Sequence, residues 1–292
     1  MNHVSTEIHL QPEAWRRAVE LLPTVAGALP RPGQRVAVVG CGTSWFMGEA
    51  YAVLREQAGA GETDFYTASA LPIGRSYDHV LAISRSGTTT EVLDALAATS
   101  ARTTAITADP TTPVRDVADE CIVLDFADER SVVQTVFATT TLMLLRASLG
   151  EQLDDVVTQT ERLLAAAPDT SRDDAAQHTF LGQGWSHGIA REAALKMREA
   201  AQLWTESYPQ MEYRHGPIAI AEPGRTVWVF GDPVPGLLED AAATGARVVC
   251  DDLDPVADLV RVQQLAVRIA ERLGLDPDRP RHLTRSVVLE GS

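Results

Sequence analysis

Short apolar runs alternate with amphipathic stretches along the chain. Residues 35–40 (RVAVVG) and 79–83 (HVLAI) are apolar runs of strand length, typical of strands buried on both faces of a sheet. Further strands are predicted at 64–68, 103–107, 121–124 and 178–181. Because predicted strands and helices alternate, the pattern indicates parallel sheets with helices on both faces.

Helices are predicted where apolar side chains recur at helical spacing. The first covers residues 11–22, with Pro12 in its first turn and Pro23 as its expected end. Others are predicted at 45–57, 91–99, 132–149, 151–167, 188–206 and 255–273. The C-terminal tail contains Pro277 and Pro280, so we expect it to be an irregular strap.

The two halves of the chain repeat one pattern. A polar stretch, AAPDTSRDDAAQ, predicts a linker between them. After it, TVWVFGDPVPGLLEDAAATGARVVCDD can be laid against HVLAISRSGTTTEVLDALAATSARTTAITAD, strand for strand and helix for helix. This indicates an internal duplication, although Ala-rich helices resemble one another by composition alone. We therefore predict an N-terminal subdomain at 1–168 and a C-terminal subdomain at 169–292.

Composition limits the possible partners. The formal net charge of −15, without a basic run, argues against binding to nucleic acid or to an anionic membrane surface. No stretch reaches the roughly 18 apolar residues of a membrane span, and the N-terminus does not resemble a signal peptide, so we expect a cytoplasmic protein. No metal-site spacing is present. The three cysteines lack CxxC spacing and are predicted to be reduced thiols: Cys41, Cys121 and Cys250.

Two turns rich in hydroxyl groups follow predicted strands. The sequence Cys41-Gly42-Thr43-Ser44 follows the strand at 35–40, and residues 84–90 (SRSGTTT) follow the strand at 79–83. Each opens a helix at the carboxyl end of a parallel strand, which is where phosphate groups bind. The alternative is that these residues are ordinary helix N-caps. The GCGTSW segment lacks the third glycine of a dinucleotide-binding fingerprint.

A third candidate segment surrounds the only lysine of the chain, Lys196. Glu192, Lys196 and Glu199 stand at positions i, i+4 and i+7 of a predicted helix, so one face carries an ammonium group between two carboxylates. His215 follows shortly afterwards, within RHGP. These are groups that can move protons. The alternative is a solvated ion-pair stripe and a loop histidine.

Seven motifs together resemble the sugar isomerase (SIS) family. They are EIHLQP, VVGCGTS, ISRSGTTTEV, ERSVVQT, FLGQGWSHGIAREAALKMREA, RHGPIA and DRPRHLTRSV. The chain is similar, nearly end to end, to the isomerase half of glucosamine-6-phosphate synthase and to stand-alone deaminase and isomerase relatives. The resemblance implies an α/β fold with two flavodoxin-like parallel-sheet subdomains, each a three-layer α/β/α sandwich. It also implies a phosphosugar bound at the interface of a homodimer, without metal or organic cofactor.

The resemblance also implies roles for particular residues. Glu199 would shuttle a proton between C1 and C2 of the sugar, and Lys196 would stabilise the charge that develops on the enolate oxygen. His215 would open the sugar ring of the neighbouring subunit, and Glu206 would orient the histidine region. The sugar phosphate would be held by Gly42, Thr43, Ser44, Ser84, Arg85, Ser86 and Thr89, and Arg285 of the tail is expected as a further substrate-binding residue.

Two departures from the family pattern affect the expected chemistry. Asn2 stands where the synthase has its cysteine nucleophile, so we expect no glutaminase part and no use of glutamine. Arg285 stands at the position of the tail lysine that forms an imine with the ketose, and a guanidinium cannot form this imine. We expect aldose–ketose isomerisation of a hexose or hexosamine 6-phosphate, with or without deamination. The alternatives are dehydration of N-acetylglucosamine 6-phosphate and a non-catalytic phosphosugar sensor.

Overall fold

The computed structural model describes residues 2–289. Each half of the chain contains one parallel sheet. The first sheet, in the order β2-β1-β3-β4-β5, consists of β1 (Val36–Gly40), β2 (Thr63–Thr67), β3 (His79–Ile83), β4 (Arg102–Thr107) and β5 (Glu120–Val123). The second, in the order β7-β6-β8-β9, consists of β6 (Gln177–Gly182), β7 (Thr205–Pro209), β8 (Arg225–Phe230) and β9 (Arg247–Val249). The first order is that of flavodoxin and the second repeats its first four strands, so the predicted fold class and the duplicated pattern are confirmed.

Helices connect the strands and cover both sheets. They are α1 (His3–Val25), α2 (Thr43–Gln57), α3 (Thr90–Ala98), α4 (Val114–Val117), α5 (Val136–Ser148), α6 (Asp154–Ala165), α7 (Ser186–Ala201), α8 (Leu237–Ala243) and α9 (Pro255–Arg272). Within residues 2–289, no helix combines the length and the apolar character that crossing a membrane requires.

Successive strand residues face opposite helix layers. Val38 of β1 belongs to a large apolar core with α2, whereas its neighbour Val39 belongs to a separate core with α3. In the second sheet, Phe180 belongs to the large core and Leu181 to a third core beneath α8. The large core therefore contains side chains from both sheets, and the two halves share the helix layer that includes α2 and α7. The predicted boundary after residue 168 falls between α6 and β6.

The first helix is twice as long as predicted, and Pro23 does not end it. Its N-terminus is stabilised by the side chain of Asn2 and by the Asp278 carboxylate, which accepts hydrogen bonds from the amides of His3 (2.7 Å) and Val4 (2.9 Å). Pro12 has no N–H to donate to the carbonyl of Ile8. The side-chain amide of Gln11 donates to that carbonyl instead (Nε2, 3.1 Å). Contacts distant in sequence thus overcome the local stop signals.

The helix predicted at 188–206 ends earlier, at Ala201. Gln202 adopts a left-handed conformation (φ +54°) and ends it, without the glycine that usually signals this position. The chain then forms β7, an edge strand that the sequence analysis did not predict. Trp204, which falls within the predicted range, lies outside the observed helix and is 78% exposed.

The helix predicted at 132–149 begins only at Val136. The buried carboxylate of Glu129 accepts hydrogen bonds from the amides of Thr135 (2.5 Å) and Val136 (2.8 Å), so a side chain six residues earlier fixes the start of α5.

The helices α2 and α7 cross in direct contact at Gly188. A Cβ atom on Gly188 would lie 2.5 Å from the carbonyl oxygen of Phe46 and 3.0 Å from the backbone nitrogen of Ala50. No side chain fits there without separating the helices. The crossing therefore fixes the spacing between the two halves of the chain.

We expect Gly188→Ala to destabilise the protein by about 1–3 kcal/mol, because the added methyl group pushes α7 away from α2. Urea-induced unfolding measures this change. The control is Gly74→Ala, because a Cβ at Gly74 meets no atom within 4 Å. Equal stability of the two variants would contradict a close crossing.

Candidate active site

The carboxyl ends of β1 and β3 border a crevice. These strands are neighbours, but α2 follows β1 on the face of the large core and α3 follows β3 on the opposite face. Ligands of open α/β sheets bind in such crevices. Both hydroxyl-rich turns predicted to bind phosphate lie at its edges, residues 41–44 after β1 and residues 84–90 after β3.

The first turn requires glycine at two positions. A Cβ atom on Gly40 would lie 2.8 Å from the backbone carbonyl carbon of Ser44, and Gly42 has a φ of +54°. The turn consequently brings Thr43 and Ser44, both buried, to the start of α2, where the positive end of the helix dipole lies.

The second turn is held by its own hydroxyl groups. Ser84 Oγ accepts a hydrogen bond from the Gly87 amide (3.2 Å), and Ser86 Oγ accepts one from the Thr88 amide (3.3 Å) and lies 3.4 Å from Thr89 Oγ1. A small polar pocket between the two turns is lined by four of the predicted hydroxyl residues: Ser44, Ser84, Ser86 and Thr89. Cys41, Gln134 and Arg285 also line this hydroxyl pocket.

Arg85 lies at the wall of the hydroxyl pocket, but protein groups hold its guanidinium. It donates to the carbonyls of Ser131 (2.9 Å) and Val132 (3.2 Å) and lies 3.6 Å from the carboxylate of Glu129. Both charged side chains are almost fully buried. Burial raises the pKa of Glu129, and the charge of Arg85 opposes this shift. The structure thus brings four of the predicted hydroxyl groups together. Thr43 does not line this pocket, and the Arg85 guanidinium contacts the loop at 129–132.

The C-terminal tail lies across the second turn. Arg285 contacts the Asp128 carboxylate and the carbonyl of Glu129 through its guanidinium, and its own carbonyl accepts from Arg85 (3.3 Å). The carbonyl of Val287 accepts from the amide of Thr90, the first residue of α3 (3.2 Å). Arg285, which the resemblance places at the imine-forming position, therefore binds the tail to the pocket wall.

Lys196 is buried between two carboxylates. Its Nζ lies 2.5 Å from Glu199 Oε2 and 3.4 Å from Glu192 Oε1, and the side chains of Lys196 and Glu192 are each 1% exposed. The alternative of a solvated ion-pair stripe is therefore wrong. Burial alone would lower the pKa of Lys196, but the charges of Glu192 and Glu199 raise it above its ordinary value. Burial raises the pKa of Glu192 to about 7.

The same ammonium group connects the helix α7 to the first turn. Lys196 Nζ donates to Thr43 Oγ1 (3.1 Å), so Thr43 and Glu199 contact one cation. The Glu199 side chain is 18% exposed and opens into a cavity of about 360 Å³, here named the carboxylate cavity. Its lining comes from α7, the residues just after it and the tail: Leu195, Arg198, Glu199, Gln202, Leu203, Arg281, His282 and Leu283.

His215 lies outside both cavities. It ends a short 3₁₀ turn, Glu212–His215, after the edge strand β7, and its side chain is exposed. Glu206 lies within β7 and is half-buried. Within one chain, the structure therefore brings Lys196 and Glu199 to Thr43 of the first turn, next in sequence to Ser44 of the hydroxyl pocket, but it does not bring His215 there.

The crevice of the second sheet, between β6 and β8, is filled by side chains of the chain itself. Ser186 Oγ accepts from the amide of Gln183 (2.9 Å) and donates to the carbonyl of Phe230 (3.0 Å). The fully buried Gln210 donates to the carbonyl of Asp232 (3.0 Å) and accepts from the amide of Val234 (2.8 Å). These bonds occupy the groups that would face a ligand in the duplicated crevice.

No protein-family model matches the chain. The glutamine–fructose-6-phosphate aminotransferase (isomerizing) of Methanothermobacter thermautotrophicus is 29% identical to it, over 97% of this chain and 57% of that protein. Thermotoga maritima glucosamine-6-phosphate deaminase has a similar structure (TM-score 0.83, 23% identity, 99% of this chain, 100% of the other). So does the C-terminal domain of Francisella tularensis glucosamine-fructose-6-phosphate aminotransferase (TM-score 0.82, 23% identity, 96% and 98%).

The resemblance to the sugar isomerase family is confirmed. The chain spans little more than half the length of the curated relatives that it matches. The motifs that carry the sugar isomerase resemblance are distributed over both halves. Five of them contribute residues to the two cavities: VVGCGTS, ISRSGTTTEV, ERSVVQT, the α7 motif and the tail motif.

One charged group of the structure was not predicted from the sequence. The carboxylate of Glu49 in α2 accepts from His187 Nδ1 (2.6 Å) and Arg191 (2.5 Å), both in α7. We name these three residues the interhelix clamp. The one available signal was a lone carboxylate within the apolar segment FMGEAYA. Burial raises the pKa of Glu49, but the hydrogen bond from His187 and the positive charges of His187 and Arg191 outweigh it and lower the pKa.

Neither metal ligands nor the cavity between α6 and α9 suggests a second site. In residues 2–289, no group of three or more His, Cys, Asp or Glu side chains is arranged to hold a metal ion. A cavity of about 450 Å³ lies between α6 and α9, away from the two crevices. Its arginines are paired with carboxylates, Arg172 with Asp169, Arg261 with Asp251 and Asp258, and Arg268 with Asp173.

We expect Glu49→Gln to lower the free energy of unfolding at pH 7 by about 2 kcal/mol, because the variant loses charged hydrogen bonds across the α2–α7 contact. The pKa of Glu49 is lower in the folded chain than in the unfolded one. The stabilisation is therefore complete above the ordinary carboxyl pKa and is lost as the pH falls through the folded value.

Urea unfolding of both proteins at pH 7 and at lower pH tests this expectation. Their stabilities should converge in acid, and a constant difference would contradict the assigned cause. The control is Glu62→Gln, which removes an exposed pair with Arg35 and should change stability by less than about 0.5 kcal/mol.

Proposed function

We propose that this chain binds a hexose or hexosamine 6-phosphate, opens its ring and moves a proton between C2 and C1. The product is the ketose, with loss of ammonia when C2 carries a free amine. The observation that carries the proposal is the position of Lys196 Nζ, which contacts both Thr43 of the first turn and the Glu199 carboxylate. A sugar held by its phosphate at the turns would extend toward that carboxylate.

Phosphate binding is assigned to the hydroxyl pocket. Ser44, Ser84, Ser86 and Thr89 provide hydroxyl groups, and the first turns of α2 and α3 provide the positive ends of two helix dipoles. The chain carries a net charge of −15, so local groups have to supply the attraction for an anion.

Proton transfer is assigned to Glu199. Its carboxylate opens into the carboxylate cavity, whereas Glu192 is enclosed. Removing the C2 proton of an open-chain aldose leaves negative charge on O1, and a fixed ammonium group stabilises such charge strongly in a site shielded from water. This role is assigned to Lys196, because its Nζ lies 2.5 Å from Glu199 Oε2 and the two carboxylates hold it in the charged form.

The relatives support this class of reaction. Their names describe an isomerizing aminotransferase that acts on fructose 6-phosphate and a glucosamine-6-phosphate deaminase. Arg285, which binds Asp128 and the carbonyl of Glu129, offers no amine for an imine with the ketose, so the proposed route proceeds through an enolate. Elimination of the C3 hydroxyl begins with the same proton removal, and product analysis distinguishes it. A sensor would not require the buried group of Lys196 and Glu199.

We expect Glu199→Gln to reduce turnover by about 1,000-fold, because the amide cannot accept the C2 proton. The substrates to test are glucosamine 6-phosphate and its N-acetyl form. Ammonia and fructose 6-phosphate indicate isomerisation with deamination, whereas an unsaturated acetylated product indicates dehydration. Phosphate binding, measured as thermal stabilisation, should persist.

The control is Glu62→Gln. Glu62 directly precedes β2, and its exposed carboxylate pairs with Arg35. Turnover by Glu199→Gln at the wild-type rate would refute the assigned base. Binding of the sugars without any turnover by the wild-type protein would favour the sensor.

A homodimer with shared sites explains the exposed position of His215, which would open the sugar ring in the partner's site. Glu199→Gln and His215→Asn variants should each be inactive alone. Mixed after dissociation, they should recover about a quarter of wild-type activity, because half of the random dimers contain one intact site of two. No recovery in mixtures shown to contain heterodimers would place His215 and Glu199 of the same chain in one site.

A further inference from the structure

The C-terminal tail forms part of both cavities. Arg285 lines the hydroxyl pocket, and the three residues Arg281, His282 and Leu283 line the carboxylate cavity opposite α7. A sugar phosphate that reaches from the hydroxyl groups to Glu199 would therefore pass along the tail. The tail would then face both the reacting end of the sugar and its phosphate.

Few groups around the carboxylate cavity can exchange protons near neutral pH. Arg198 and Arg281 remain protonated, and the leucines and Gln202 do not titrate. Lys196 is held as an ammonium by Glu192 and Glu199. Glu199 and His282 remain, a carboxylate on α7 and an imidazole on the facing tail.

The proposed isomerisation needs two proton transfers. One proton moves between C2 and C1, and this is the role of Glu199. A second proton must move between the substituents of these carbons, onto O1 and away from O2, or away from N2 in a hexosamine. Imidazole is the side chain best suited to both giving and accepting a proton at neutral pH.

We propose that His282 of the same chain is the second acid–base group of the site and moves this proton between O1 and O2. The assignment rests on the proposed function. It differs from the role proposed for His215, which would open the ring from the partner subunit before these transfers begin.

Isomerisation of a hexose by these two groups needs no further reactant. Glu199 takes the C2 proton, the C1–C2 double bond forms, and the imidazolium of His282 protonates O1 to give an enediol. The neutral imidazole then takes the O2 proton as Glu199 returns its proton to C1, and the C2 carbonyl forms. Both groups end in their starting states. In a hexosamine, the second proton leaves N2, and water hydrolyses the resulting imine to ketose and ammonia.

The backbone conformation of His282 allows the imidazole to be removed without straining the tail. Its φ of +66° is in the left-handed region, which asparagine and glycine tolerate. His282→Asn and His282→Gly therefore remove the imidazole and keep the tail conformation accessible. His9→Asn is the matched control, because His9 is an exposed histidine that bonds only to the Ser5 carbonyl.

Glucose 6-phosphate and glucosamine 6-phosphate are incubated with each protein in D₂O, and NMR follows both deuterium entry at C2 and ketose formation. We expect His282→Asn to lower ketose formation by about 100-fold or more and to retain most of the C2 exchange, which depends on Glu199. Added imidazole should restore part of the turnover of His282→Gly. The pH profile of kcat should lose one ionisation in both variants. The other charged groups of the carboxylate cavity are Glu199, Arg198 and Arg281, and both variants retain them.

The outcomes separate the two proposals. Absence of C2 exchange and turnover by the wild-type protein with every phosphosugar tested overturns the proposed function and this inference with it. Wild-type turnover that is unchanged in His282→Asn overturns the role of His282 alone. An equal fall in exchange and turnover, without rescue by imidazole, also overturns it, because that pattern reflects a structural role.

Discussion

The buried ammonium group of Lys196 is the interaction on which the rest of the structure depends. Burying an ammonium group away from water costs much free energy unless carboxylates and hydrogen-bond acceptors surround the group closely. Glu192 and Glu199 come from its own helix, but Thr43 comes from the other half of the chain. The ion is therefore fully coordinated only when the two halves are correctly packed, and the geometry of the site is linked to the integrity of the fold.

The contact between α2 and α7 maintains that packing. Gly188 allows the two helix backbones to touch, and the interhelix clamp ties the same helices through charged hydrogen bonds. The shared apolar core surrounds this contact. A movement of α7 along α2 would disturb three different kinds of interaction at once, so the distance between the hydroxyl pocket and the Glu199 carboxylate is resistant to small perturbations.

Much of this arrangement could be predicted from local patterns. The strands are continuous apolar runs, the hydroxyl-rich turns follow them directly, and the spacing of Glu192, Lys196 and Glu199 places them on one helix face. Features set by distant residues could not be predicted. Asp278 extends α1 from the far end of the chain, Glu129 delays the start of α5, and β7 forms because β6 offers it a partner. Local sequence does not report these contacts.

The filled crevice of the second sheet has a consequence for how the duplicated chain works. Two copies of one architecture could in principle provide two equivalent receptors, but Ser186 and Gln210 already satisfy the polar groups of the second. The second sheet instead packs against α7 and supports it. The proposed function therefore implies one ligand per chain, although the sheet architecture occurs twice in each polypeptide.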